Sequence, residues 1–153
     1  MGARFTPSIP IMSTPRFRVG IVGAGGIAQG VHIPGWRSLP DVEIVAVADV
    51  HEPTAAKAAE LAGGARVFAD WRELMKLELD AVDVCTPNRL HTPVVLGALA
   101  SGKHVLCEKP LAVTTAEVRE MGLAAEKAGR LLMTGQNNRY RAETLAIKRW
   151  AEG

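Results

Sequence analysis

Phe17-Arg18-Val19-Gly20-Ile21-Val22-Gly23-Ala24-Gly25-Gly26-Ile27-Ala28 is the stretch that decides the fold of this 153-residue chain. An apolar, β-branched run enters a cluster of glycines, the pattern of a strand that turns tightly into a helix. Gly23 lets the chain leave the strand, and Gly25 has no Cβ to keep a pyrophosphate from the backbone. Ala28, in the third place, is small enough for close helix–strand packing. Gly26 and Ile27 complete the turn at the helix N-terminus, where free N–H groups and a partial positive charge favour phosphate. G-x-G-x-x-A is a weak signal by itself, because glycine and alanine are common. Here it follows a strand and opens a helix, which is the context that counts. The competing reading is a plain tight βα turn.

Outward from this stretch, apolar runs alternate with helical segments. Further strands are expected over Val42–Asp49, Arg66–Ala69, Ala81–Thr86, His104–Glu108 and Leu131–Gly135. The first helix opens near Gly25 and is weakened by Gly30 and Pro34, which bend or end it by Trp36. Helices follow from Glu52 to Ala62, Trp71 to Leu77, Pro93 to Ser101, Thr114 to Gly129 and Ala142 to Glu152. Six strands separated by helices describe an α/β protein with a Rossmann-type, doubly wound parallel sheet. The expected strand order is 3-2-1-4-5-6, with its switch point between the first and fourth strands. Residues 17–153 read as a dinucleotide-binding domain and 1–16 as a disordered leader.

Composition excludes several function classes. The chain is 48% hydrophobic and 22% charged, with a net charge of +2. Its charges are interspersed, so no basic stripe offers a surface to nucleic acid or an anionic membrane. No uncharged run approaches the roughly 18 residues of a membrane helix. Residues 1–16 hold three prolines and no continuous apolar stretch, unlike a secretory signal. Met1-Gly2-Ala3-Arg4-Phe5-Thr6 fits the short, loose acylation pattern, and a disordered leader is the better reading. Cys85 and Cys107 lie in apolar strands and read as buried free thiols of a reducing cytosol, with no metal site. A cytoplasmic protein is expected.

The five strand ends that carry polar or glycine residues meet at one sheet edge in this fold, which is where ligands bind. Asp49 lies 49 − 28 = 21 positions past Ala28, near the separation of about 20 expected for a ribose ligand. A carboxylate there accepts bonds from ribose hydroxyls and repels a 2′-phosphate, favouring NAD over NADP. The alternative for Asp49 is a turn or cap before Pro53. Thr86, Pro87, Asn88 and His91 follow the fourth strand beside the switch point and are expected to bind the cofactor, with a structural role the alternative for His91. Thr86 and Asn88 can bond a sugar or a nicotinamide carboxamide, or merely cap the next helix. Glu108 and Lys109 close the fifth strand and should point to different sides. A lysine near an oxidised nicotinamide meets like-charge repulsion, and partial burial adds to it. Both favour the neutral, proton-accepting form. Its alternative is an exposed lysine paired with Glu108. Gln136 and Arg139 follow the sixth strand, Gln136, like Glu108, being expected at the cofactor, and His32 and His104 read as structural or exposed.

Together these residues resemble a family. Val19–Ala28 (VGIVGAGGIA), Val47-Ala48-Asp49, Thr86-Pro87-Asn88 with His91, Glu108-Lys109-Pro110-Leu111 and Gly135–Tyr140 (GQNNRY) are similar to the N-terminal domain of the Gfo/Idh/MocA oxidoreductases. The resemblance implies hydride transfer between NAD(P) and a hydroxyl carbon of a sugar, polyol or related small molecule. It implies that Lys109 is catalytic and that Arg139 and Tyr140 lie near the substrate side. Position in a site loop suggests a cis Lys109–Pro110 bond. Members of the family continue into a second, α+β domain that supplies further catalytic residues. No position of this chain corresponds to them, so the expectation is a chain that is catalytically incomplete by itself. The competing function is a stand-alone, non-catalytic nucleotide-binding module whose exposed face pairs with itself, as a homo-oligomer, or with another chain.

Overall fold

The structure, a computed structural model, describes residues 16–153. The acylation pattern and all but the last residue of the expected leader lie outside the described residues. Strands β1 (Phe17–Val22), β2 (Val42–Ala48), β3 (Arg66–Phe68), β4 (Ala81–Val84), β5 (His104–Cys107) and β6 (Leu132–Thr134) form one sheet. Every pairing is parallel, and the order is β3-β2-β1-β4-β5-β6. The expected Rossmann-type topology is therefore the observed one. The chain runs outward in one direction from β1 through β2 and in the other through β4, so a crevice opens beyond the ends of those two neighbours.

Helices cover both faces, and strand alternation divides the core accordingly. Val19, Ile21, Val47 and Cys85 pack with Ala28 and Ile33 on one side. Val22, Val82, Val84 and Cys107 pack with Leu74, Val95, Leu99 and Met121 on the other. All four residues of β4 are buried, as central parallel strands require, yet one of them is the acid Asp83. Alternation turns Asp83 toward the side on which Ile21 lies, away from Val82 and Val84.

The first helix departs from expectation instructively. It opens at Gly26, passes through a π-helical segment at Ala28–His32 and continues as α1 (Ile33–Arg37). Pro34 has no N–H to give to the carbonyl four residues back. The backbone widens rather than breaks, and the Ile33 N–H reaches the carbonyl of Ala28. Beyond it lie α2 (Glu52–Leu61), α3 (Trp71–Met75), α4 (His91–Ala100), α5 (Thr115–Ala128) and α6 (Ala142–Ala151). Helix α4 begins at His91, two residues before the expected Pro93, because proline is tolerated in a first turn whose N–H groups have no intrahelical partner. No helix among the described residues is long and apolar enough to cross a membrane.

Candidate dinucleotide site

At the end of β1 the crevice is shaped by main chain. Gly23 has φ +91°, and a Cβ there would stand 2.6 Å from the Cys85 carbonyl carbon and 2.7 Å from the Thr86 nitrogen. Only glycine lets β1 turn this close to the end of β4. A Cβ on Gly25 or Gly26 would meet nothing within 4 Å, so the backbone there faces open space. Asp49, just past β2, grips the loop from the other side. Its Oδ2 accepts the Ala24 N–H at 2.8 Å, and its Oδ1 accepts the His51 N–H at 2.9 Å. Each oxygen keeps a second lone pair for a ligand hydroxyl.

These groups line a groove of about 550 Å³, with Gly23, Gly25, Gly26, Ile27 and Asp49 on one wall and Thr86 and Pro87 on the other. The hydroxyl of Thr86 is buried without a hydrogen-bond partner, the one such side-chain oxygen or nitrogen among the described residues. A buried orphan donor beside open backbone fits a polar ligand that supplies the missing partner. The residues present therefore fit a dinucleotide.

Other expected site residues lie elsewhere. Ala28 is fully buried and packs helix against sheet, the role its size suggested. Asn88 is exposed at the start of a short 3₁₀ turn (Asn88–Leu90), outside the groove lining. His91 is corrected outright: it is fully buried, so it offers no surface to a cofactor. Its Nδ1 stands 2.9 Å from the Pro110 carbonyl and its Nε2 2.8 Å from that of Thr86. Both partners are acceptors and a neutral ring has one N–H, so the ring donates to one of the two carbonyls and packs between the β4 loop and the β5 loop. Glu108, Gln136 and Tyr140 line a second hollow of about 260 Å³ beside the π segment and α1, not the groove. Arg139 is exposed and lines neither.

Lys109 stands on the loop after β5, joined to Pro110 by a cis peptide bond. Its side chain is 61% exposed, with Nζ 4.0 Å from Glu108 Oε2. Burial, one half of the reason for expecting a neutral amine, is thus not provided by the described residues.

A group the sequence reading passed over stands beneath this loop. His32, on the π segment, is clamped between two carboxylates: Nδ1 lies 2.8 Å from Asp83 Oδ2, and Nε2 lies 3.0 Å from Glu108 Oε1. Trp36 Nε1 donates to the same Asp83 oxygen at 2.7 Å. Burial works against a charge on His32, but hydrogen bonds and attraction to Asp83, then to Glu108, prevail. They raise its pKa from 6.5 to about 9. Cys85 and Cys107 are free and buried, as expected. Burial first, and the charges of Asp83 and Glu108 next, push both thiols up, Cys107 to about 12, which keeps both sulfurs protonated. A signal for the clamp did exist. The single acid in Ala81-Val82-Asp83-Val84, a strand apolar on both faces, demands a buried donor.

With this geometry in place, comparison with known proteins decides the family. A model described as an oxidoreductase family with an NAD-binding Rossmann fold matches residues 17–136. The chain belongs to the Gfo/Idh/MocA oxidoreductases. Among curated members, the D-glucoside 3-dehydrogenase of Escherichia coli is 38% identical over 138 residues, which are 90% of this chain and 39% of that protein. The WlbA dehydrogenase of Bordetella pertussis, solved with NADH and UDP-GlcNAcA, superposes with a TM-score of 0.84 at 28% identity. That match covers 90% of this chain and 42% of the other. KijD10, a 3-ketoreductase of Actinomadura kijaniata solved with NADP, gives a TM-score of 0.83 at 29% identity over 90% of this chain and 44% of its own. This chain thus spans about two-fifths of the length of these family members. The family fold carries either form of the cofactor, NADH in one neighbour and NADP in the other.

Proposed function

We propose that this chain is the cofactor-holding part of an oxidoreductase that moves a hydride between NAD(H) and a hydroxyl carbon of a sugar, polyol or similar small molecule. The observation that carries the reading is the groove itself: open glycine backbone, the Asp49 carboxylate and the unpartnered Thr86 hydroxyl converge at the switch point. When bound, the nicotinamide ring supplies the hydride acceptor or donor. The chain's own residues do the rest. The helix-opening amides of Gly25, Gly26 and Ile27 face the diphosphate. Asp49 takes the ribose hydroxyls, and Thr86 gives or accepts a bond near the nicotinamide end. Lys109 Nζ holds or removes the hydroxyl proton of the substrate, with Glu108 as its counter-charge.

NAD is the preferred form in this reading. Both Asp49 oxygens are held by main-chain amides and keep lone pairs for a ribose, and the residue after it is Val50, 92% exposed, while the cation lining the groove, Arg89, comes from the β4 loop. Calorimetry on the 153-residue chain tests the proposal: NADH binds at micromolar concentrations and at least ten-fold tighter than NADPH. Absence of heat with either cofactor would overturn it. Bound NAD also protects Lys109 from amine-directed labelling, read by mass spectrometry, and equal labelling with and without cofactor would remove Lys109 from the site.

A second reading rests on a different observation. Leu131 and Met133, just before and on β6, are 72% and 47% exposed, and Ile147 and Trp150 on α6 are 66% and 85% exposed. Exposed apolar side chains of this size favour cover by further polypeptide, whether a second copy or another chain. Light scattering decides between them: a clean monomer at high concentration argues against self-association.

A further inference from the structure

We propose that His32 is a positioning residue for Lys109: an imidazole clamped between Asp83 and Glu108 that holds one Glu108 oxygen, so that the other, Oε2, is presented to the lysine. The inference rests on the proposed role of Lys109, and it adds to that role two residues, His32 and Asp83, that the dinucleotide reading does not use.

The charges alternate along one line. Asp83 is fully buried and His32 nearly so, with side-chain exposures of 0% and 8%. Glu108 is 14% exposed and Lys109 61%. Glu108 Oε1 faces His32, while Oε2 accepts the Lys109 backbone N–H at 3.2 Å and stands 4.0 Å from its Nζ. Both carboxylate oxygens are therefore committed, one on each side. Two carboxylates beside each other are tolerated if a cation stands between them or if one takes up a proton, and here an imidazole within hydrogen-bond distance of both supplies the cation. His32 is the cation placed there, through the π segment that Pro34 imposes. Such segments are rare and gather at functional sites.

A proton wire is the obvious alternative, and it fails at its inner end. Asp83 is sealed by the Trp36 N–H and by the Cys85 thiol 3.7 Å from its Oδ1. A proton arriving there has no exit, so the line holds charge instead of conducting it. A metal among His32, Asp83 and Cys85 is the other alternative, since one donor atom from each lies within 4.8 Å of the others. The hydrogen bonds already made by all three, and the protonated thiol, oppose it.

Nuclear magnetic resonance on the 153-residue chain tests the inference, with 15N-labelled histidine and 13C-labelled lysine. The ionisable groups facing His32 are Asp83, Glu108 and Cys85, with Tyr140 lining the same hollow. His32 should hold protons on both ring nitrogens at neutral pH and release one only near pH 9. Asp83→Asn and Glu108→Gln should each lower that midpoint by about one pH unit or more. The Lys109 Cε signal should show an inflection at the His32 midpoint, absent in His32→Gln. If His32→Gln does not fold, the double change His32→Gln with Asp83→Asn, which removes one buried anion with the cation, makes the same comparison.

A neutral ring at pH 7.5, midpoints unmoved in both carboxylate variants, or a Lys109 inflection that survives the loss of His32 would each overturn the inference. Displacement of the ring proton by micromolar Zn²⁺ would overturn it in favour of a metal centre. NADH titrations of the same samples keep the two readings separate. Binding with an ordinary His32 midpoint sinks the positioning role alone, whereas a shifted midpoint without binding sinks the cofactor reading alone.

Discussion

The groove and the smaller hollow lie beyond the same sheet edge and are made of different material. Glycine backbone opens the groove at the β1 turn, where an acid ties the loop through two main-chain amides, and side chains such as Trp71, Leu90 and Val94 complete it around a rigid Pro87. Side chains form much of the hollow, where His32 and Glu108 line the wall and buried Asp83 backs His32, with Glu108 and Asp83 76 and 51 positions from His32 in sequence. A main-chain site tolerates variation in side chains and punishes changes in backbone conformation. A side-chain site does the reverse, and its strength varies with pH.

The harshest way to break this contrast is Gly23→Ala. The backbone at φ +91° strains any L side chain, and the added carbon collides with the main chain of Cys85 and Thr86, which cannot swing aside. A loss of about 3 kcal/mol or more is expected in denaturant unfolding, together with loss of NADH binding. Retained stability would mean that the β1 turn is looser than the geometry states.

Next comes the hollow, through pH. His32 binds its proton more tightly folded, at about 9, than at its ordinary 6.5. Its contribution is therefore complete below pH 6.5, declines as pH rises from 6.5 to 9 and is gone above. At about 1.4 kcal/mol for each pH unit, the span is on the order of 3 kcal/mol. The buried thiols add a decline of the same sign only above their ordinary value of 9. Urea midpoints between about pH 6 and pH 9 should fall in the native chain and stay nearly level in His32→Gln. Equal slopes would show that the clamp stores no such energy.

This division also explains what could be read in advance. The groove was legible because its signals are local: a strand, a glycine turn and a helix opening within Phe17–Ala28, then an acid at a fixed distance. Parallel strands and right-handed crossovers supplied the rest of the order. The hollow was not legible, since nothing adjacent to His32 marks it. Its meaning depends on a π segment whose side-chain phase differs from that of the α-helix expected there. His91 failed in the opposite sense. Its place near the crevice suggested a ligand contact, but opening α4 two residues early turned the ring inward, onto two carbonyls.

Asp49→Asn tests the groove more gently. An amide keeps one acceptor and sets its NH₂ group against either Ala24 or His51, so one of two buried-edge bonds is lost. A cost of about 1–2 kcal/mol is expected, with roughly ten-fold weaker NADH binding and a narrower preference over NADPH. The His32 titration should not move. If it does, the two regions are coupled through β1 and β4 and do not respond independently.

The smallest change tests whether either region can be disturbed from afar. Helix α5 begins with a reciprocal cap. The Glu117 N–H reaches Thr114 Oγ1 at 3.2 Å, and the Thr114 N–H reaches the Glu117 carboxylate at 2.8 Å. Thr114→Ala removes one half of it and should cost about 1 kcal/mol, visible as a lower urea midpoint at every pH. Neither region contains a residue of α5, so NADH affinity and the His32 midpoint should match the native chain. A stability loss that leaves both untouched shows that the effects of Gly23→Ala, Asp49→Asn and His32→Gln come from their own contacts rather than from general loosening. A shift in either one would locate the weakness in the β5–β6 half of the sheet, against which α5 packs.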